Sequence, residues 1–369
     1  STEGKKPRMF GLTRRADAKA FDDLLSLLRS YERKFRWRRL LTRDNELAEG
    51  YSAMLDLLAV GLDCYIHNSP DEPSFVKLLS PIRKIGGDNA DALYYFAPLN
   101  PGRGYEVRGT MGSAAYLAFT TYGGDTPKKF HIVSNTSTPG LKVDEDGSFE
   151  LRISADASDS NGNAIQTDTT TNCVIVRRYY LDKSAMSSDP GEQTIVPDDS
   201  PPTPGLLSGD EMGRRIRNLE QFLRGWFKLT PIPLPPIPPA YNRMSPPRQA
   251  SADTGHWSTP DNIHSFGFFR VADDEGLVIR GRSPQCLYWS VHLWNPYLQT
   301  YDYAHHPCAM SGSDVELEPD GSWELLISRR DPGHRNWIST TGHPRGFVYF
   351  RWLKSESPPE KLHTQLRKL

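Results

Sequence analysis

From Ala16 to about Tyr65 the apolar residues recur with a helical period. Phe21, Leu24, Leu25, Leu28, Tyr31 and Phe35 fall at i, i+3 and i+4 spacing, which puts them on one face of an amphipathic helix. Thr42 reads as the N-cap of a second helix, with Asn45 at the third helical position in place of the Glu or Gln of a full capping box. The next segment, ELAEGYSAMLDLLAVGLDCYI, has a broad apolar face. A third helix is predicted in SGDEMGRRIRNLEQFLRGWFKL, capped by Ser208 or Asp210 and turning Ile216, Leu219, Phe222, Leu223 and Trp226 to one side.

Elsewhere the period drops to two, and the text repeats. Residues 94–122 align with 266–294 without gaps, matching Phe96 to Phe268, Gly104 to Gly276, Arg108 to Arg280, Gly109 to Gly281 and Tyr116 to Tyr288. LKVDEDGSFELRIS (141–154) aligns with VELEPDGSWELLIS (315–328), and CVIVRRYY with FVYFRWLK, which pairs Arg177 with Arg351. In both copies an Asp-Gly dipeptide sits between alternating apolar runs, a strong hairpin signal. The prediction is a mainly β protein with a helical N-terminal segment and two repeated antiparallel β-sandwich or jelly-roll-like units.

Boundaries come from composition. N-terminal helices occupy residues 1–68, the first β unit 69–182 and the second 251–356, with a tail at 357–369. Residues 183–250 read as a Pro-rich linker carrying one amphipathic helix. Within it, TPIPLPPIPPAYNRMSPP reads as extended, polyproline-like chain strapped over the protein's own surface, since its Ile and Leu would otherwise be exposed.

The charge balance, 44 Lys and Arg against 45 Asp and Glu, supplies no basic field for nucleic acid. No apolar stretch of about 18 residues exists to span a membrane. The four cysteines, Cys64, Cys173, Cys286 and Cys308, are far apart, a usage that fits thiols in a reducing compartment and excludes C-x-x-C chemistry. A cytoplasmic protein is expected. Serine-hydrolase, phosphate-loop and dinucleotide signatures are absent: there is no G-x-S-x-G, and GGDNADALYY lacks both the Lys of a P-loop and its strand–turn–helix setting.

The segments YWSVHLWNPYLQTYDYAHH, EPDGSWELLISRRDPGHRNWISTTGHPRGFVYFRW and RKIGGDNADALYY resemble the bacterial family catalogued as domain of unknown function 1214. The resemblance runs from about Glu49 to Trp352. Its most specific part is D-P-G-x-x-N-W, here Asp331, Pro332, Gly333, Asn336 and Trp337, with Gly342 and His343 after it. It implies a fold built mainly of β-strands and carries no activity with it. The family tends to a Tyr-His-Gly stretch where this chain has Phe266 beside Gly267, with His264 displaced.

The repeat serves as an internal control, because a residue needed only for folding should recur in both halves. Eight of the ten histidines lie in the second half, and His292 stands where the first half has Thr120. The second half is therefore the expected site. Asp302, Tyr303, His305, His306 and His343 are the candidate acid–base residues, since His titrates near neutrality and a carboxylate can fix its tautomer. His292, Trp294, Asn295, Arg335, Asn336, Trp337, Asp88 and Asn89 are candidate substrate contacts. A His and carboxylate metal set matches no standard spacing, so neither metal nor cofactor is expected. The leading expectation is an intracellular enzyme acting by acid–base chemistry on a small polar or aromatic molecule or a glycan. The alternative is a non-catalytic carbohydrate- or ligand-binding β-sandwich. Paired β units are also compatible with homo-oligomers.

Overall fold

The N-terminal residues form helices α1 (Ala16–Arg38) and α2 (Asp44–Tyr65), as the period predicts. The computed structural model describes residues 15–38, 43–124, 130–156, 162–199, 206–229, 240–249 and 257–369. The proposed Thr42 cap lies outside them, as does most of the polyproline strap, residues 230–239; the α2 N-cap is Arg43, whose side chain makes no capping bond. On α1, Leu24, Tyr31 and Phe35 are buried, whereas Phe21 is half exposed.

The first unit contains β1 (Val76–Lys77), β2 (Ala92–Pro98), β3 (Tyr105–Thr110), β4 (Tyr116–Gly123), β5 (His131–Ser137), β6 (Ser148–Ser154), β7 (Asn163–Gln166), β8 (Thr171–Tyr179), α3 (Lys183–Ser188) and β9 (Glu192–Pro197). After α4 (Gly209–Leu229), the second unit contains β10 (Arg243–Met244), β11 (Arg248–Gln249), β12 (Asn262–Arg270), β13 (Glu275–Gly281), β14 (Tyr288–Trp294), β15 (Ala309–Ser311), β16 (Trp323–Ser328), β17 (Trp337–Ser339), β18 (Arg345–Leu353) and β19 (His363–Lys368). Strands β2–β9 correspond one for one to β12–β19.

Each unit is two packed sheets. The first has the orders β1-β2-β8-β4-β5 and β7-β6-β3-β9; the second has β10-β12-β18-β14-β15, with β11 also on β12, and β17-β16-β13-β19. Pairing is antiparallel except at β6–β7 and β16–β17, which are parallel in both copies. Two segments read as linker and tail belong to the units. Strand β9 completes the first by pairing with β3, and β19 completes the second by pairing with β13. Composition hid β9 because only its Ile195 is buried.

Alternation along β8 and β18 sorts their side chains between two environments. Val174 and Val176 enter the first sandwich core, and Val348, Phe350 and Trp352 the second. The intervening residues, Ile175, Arg177 and Tyr179 on β8 and Phe347, Tyr349 and Arg351 on β18, point out of the sandwiches. These two outward faces meet. Tyr116 and Tyr179 pack against Tyr288 and Leu353 at one end of the contact. Helices α1, α2 and α4 pack on the rest of that outward face of the first unit, against Phe96, Tyr122 and Ile175, with Tyr31 stacked on Phe227 at 3.6 Å. Helix α4 is capped by Ser208, whose Oγ accepts from Glu211 N at 3.1 Å.

Candidate functional site

Where the two outward faces separate they enclose a cavity of about 490 Å³. Its walls are β2 and β8 from the first unit and β12, β14 and β18 from the second; Trp226 of α4, Trp257 and the loop 85–88 close it. The volume suits a drug-sized small molecule. Aromatic rings dominate the lining, with Tyr349 stacked on Trp294 at 4.2 Å and Phe268 on Phe347 at 4.6 Å.

The loop shapes the cavity through its glycines. Gly86 and Gly87 have φ of +30° and +87°. A Cβ on Gly86 would overlap the Trp226 ring, and one on Gly87 would lie 3.3 Å from Trp294. The next residues lock the loop to the second unit. Asp88 Oδ1 accepts from Thr300 N at 2.7 Å, Ala90 N donates to His292 Nε2 at 3.0 Å, and Tyr288 OH donates to Asp91 Oδ2 at 2.7 Å.

Two guanidiniums enter from opposite walls. Arg177 donates to Thr120 Oγ1, Tyr122 OH and the carbonyls of Trp257 and Ser258 at 2.7–3.2 Å. Arg351 lies 5.1 Å from the centre of the Tyr349 ring and reaches Tyr94 OH, Gly87 O and Asp88 O at 3.2–3.5 Å. Among the described residues neither has a carboxylate ion-pair partner. Four cavity-lining side chains among the described residues carry a buried polar atom with no hydrogen-bond partner: Asp88 Oδ2, Asn262 Oδ1, Trp294 Nε1 and Arg351 Nε. Such atoms are rare in folded proteins, and each costs about 1–3 kcal/mol if left dry and unpaired. Burial raises the Asp88 pKa, against the pull of Lys84, its bonds to Thr300 and Arg351.

Of the residues predicted from sequence, Asp88 and Trp294 line the cavity. Asn89 lies just behind, accepting from Tyr288 OH at 3.1 Å. His292 is fully buried, and burial, then Arg351 and Lys183, hold its pKa well below the usual histidine value. It is a neutral ring that ties β14 to the loop. Asn295 Oδ1 accepts from Tyr297 N and Gln299 N, shaping a turn.

The proposed acid–base set is not gathered there. Asp302 Oδ2 and His305 Nδ1 pair at 2.8 Å on an exposed turn, and His306 is exposed beside them. Tyr303 lies under Lys84 Nζ, 4.4 Å from its ring centre. His343 turns to α2, with Nε2 2.5 Å from Glu49 Oε1. Arg335 pairs with Glu318. None of these lines the cavity. Asn336 is buried and bonds three backbone groups, Glu316 N, Glu316 O and Glu324 O, and Trp337 Nε1 donates to Ser328 Oγ. Asn163 makes the same three bonds in the first unit, to Lys142 N, Lys142 O and Glu150 O. By the internal control, Asn336 serves the fold. Among the described residues no group of three or more His, Cys, Asp or Glu side chains is placed to hold a metal.

The residues that sequence reasoning did not nominate are Arg177, Arg351, Tyr94, Trp226 and Tyr349. The signal was a charged residue recurring at the same place in two apolar strands, VIVRR and VYFRW.

Two segments of the chain, residues 97–184 and 275–357, match DUF1214, a protein family of unknown function. They fall in the first and second β units, so both repeats carry the match. Among solved structures, an uncharacterised protein from Burkholderia cenocepacia is similar at 24% identity over 95% of this chain and 97% of that one, with a TM-score of 0.81. The VPA0106 protein from Vibrio parahaemolyticus is similar at 11% identity over 86% and 98%, with a TM-score of 0.50. These likenesses concern the fold. No curated protein sequence matches the chain.

Proposed function

We propose that this chain, which matches a family of unknown function in both of its repeats, is a small-molecule-binding protein whose site is the cavity between the two β units. The observation that carries the reading is the collection of four unpartnered buried polar atoms on the walls of one aromatic cavity. Apolar walls with a few convergent polar groups are the usual make-up of a ligand site. Of the contacts nominated from sequence, Asp88 and Trp294 are retained. The lining favours a ring-bearing, largely apolar molecule over a glycan, which needs many more hydrogen-bonding partners. The four cysteines are free, which supports a reducing, cytoplasmic setting. Among the described residues no helix is long and apolar enough to cross a membrane.

Acid–base catalysis is the second reading, and Asp88 is what favours it. A buried carboxyl with a raised pKa and a free oxygen, facing a ligand cavity, holds a proton more readily than an exposed carboxyl does.

Binding of the neutral fluorescent probe N-phenyl-1-naphthylamine tests the site. The expected result is probe fluorescence that rises on binding and is lost in Ile175→Trp, which fills the cavity from the β8 wall. No probe binding to the wild type, together with no small molecule released on denaturing the purified protein, sinks the proposal. Under the second reading, Asp88→Asn keeps probe binding and abolishes turnover of whatever substrate is identified.

A further inference from the structure

Arg177 and Arg351 occupy the same position in the two repeats, and both are buried, at 2% and 4% exposure. Their hydrogen bonding differs. Arg177 is supported by Thr120 and Tyr122 of the adjacent strand at 3.0 and 2.7 Å. The second unit has His292 and Trp294 in the corresponding places, and neither accepts from Arg351. His292 Nε2 is occupied by Ala90 N–H, and its Nδ1 faces Ser290 Oγ at 3.3 Å. An indole is a donor only. Arg351 is left with bonds of 3.2–3.5 Å and an Nε–H that has no partner; Trp294, whose ring centre lies 5.9 Å from the guanidinium carbon, has an Nε1–H without one either.

A guanidinium is charged at any physiological pH. Burying it without a counter-charge costs several kcal/mol. Lys84 adds a further positive charge beside Asp88; among the described residues its Nζ bonds the carbonyls of Thr300 and Tyr301, and it is set over Tyr303. Among the described residues Asp88 is the one carboxyl on the cavity wall, so their surplus is positive. Two unused N–H donors match the two oxygens of a carboxylate and fall short of the three that a phosphate presents. The rings around Arg351 suit a flat apolar body and not a polar one.

Resting on the pocket reading above, we infer that the molecule bound in this cavity is a ring-bearing carboxylic acid, whose carboxylate accepts from Arg351 Nε and Trp294 Nε1. Arg351 is the specificity-determining residue; its repeat partner Arg177 belongs to the fold.

The test uses the full chain and matched pairs: 2-naphthoate against 2-naphthamide, and cyclohexanecarboxylate against its amide. Each competes with N-phenyl-1-naphthylamine, and each is also titrated directly by calorimetry. At least one acid is expected to bind about tenfold or more tighter than its amide, because charge-assisted hydrogen bonds are roughly twice as strong as neutral ones. Arg351→Gln should erase that preference, bringing each acid to the affinity of its amide. If that variant does not fold, the acid–amide ratio of the wild type decides. Probe binding with no acid preferred over its amide overturns the carboxylate assignment and leaves the pocket standing. Failure of the probe, the acids and the amides alike overturns the pocket itself.

Discussion

His343 of the second β unit and Glu49 of α2 are joined by a 2.5 Å contact between Nε2 and Oε1. The ring also stacks on Tyr301 at 4.1 Å, and its Nδ1 lies 3.0 Å from Thr340 O. Beside it, Arg345 donates to both carboxylate oxygens of Glu46 at 2.8 and 2.6 Å. Two ion pairs therefore clasp α2 to the far half of the chain.

The His343 clasp makes stability depend on pH. Burial opposes the charged ring, but the Glu49 contact, and then the Thr340 carbonyl, prevail and raise the His343 pKa. A folded-state pKa above the unfolded value of about 6.5 means the stabilisation is fully present below that value. It is lost as pH rises through the folded-state pKa. His343→Gln should therefore lower the melting temperature most at pH 6, by a loss of about 1–2 kcal/mol, and progressively less toward pH 9. Thermal melts of both proteins across that range check this; a gap that widens with pH would contradict it.

Asn163 and Asn336 give a paired prediction. Each substitution by Ala strips the same three backbone groups of their partner, at a cost of about 2–4 kcal/mol. Urea unfolding should show comparable losses for the two. Probe binding by the folded fraction should persist in both.

Gly86→Ala should disturb the cavity wall from outside it. The added methyl meets the Trp226 ring at a backbone position of positive φ. A loss of about 2 kcal/mol is expected, with a change in near-ultraviolet circular dichroism as the indole shifts. An unchanged spectrum would mean that the loop does not press on Trp226.

The Asp302–His305 pair should matter little. The two side chains are 52% and 75% exposed, and exposed ion pairs contribute about 0–1 kcal/mol. His305→Ala should leave the urea midpoint and the probe affinity where they are. A loss of probe binding would bring that turn back into the site.

The repeat was legible because its strongest block encodes a local structure twice. Asp146 and Asp320 accept from the backbone N–H of Ser148 and Ser322 at 2.9 Å in both copies, around glycines with φ of +84° and +82°. Turn chemistry of this kind is written in adjacent letters. The cavity is not: its walls come from alternate residues of β8 and β18, far apart in the chain, with Trp226 added from a helix. Histidine density pointed away from the cavity: His292 and His343 hold elements together, and His305 and His306 lie on an exposed turn. What marked the cavity wall was an arginine kept at one position of two otherwise apolar strands, and its meaning depends on neighbours that only folding supplies.

The walls of the cavity belong to two sandwiches that each have a core of their own. Neither core fixes the width of the gap. The distance between the halves is set at one end by the Tyr116, Tyr179, Tyr288 and Leu353 patch and elsewhere by the bonds that tie the loop at 88–91 to Thr300, His292 and Tyr288. A guest of the proposed kind would touch both halves and act as a keystone. Unfolding of the two sandwiches should then be more tightly coupled in the filled protein than in the empty one.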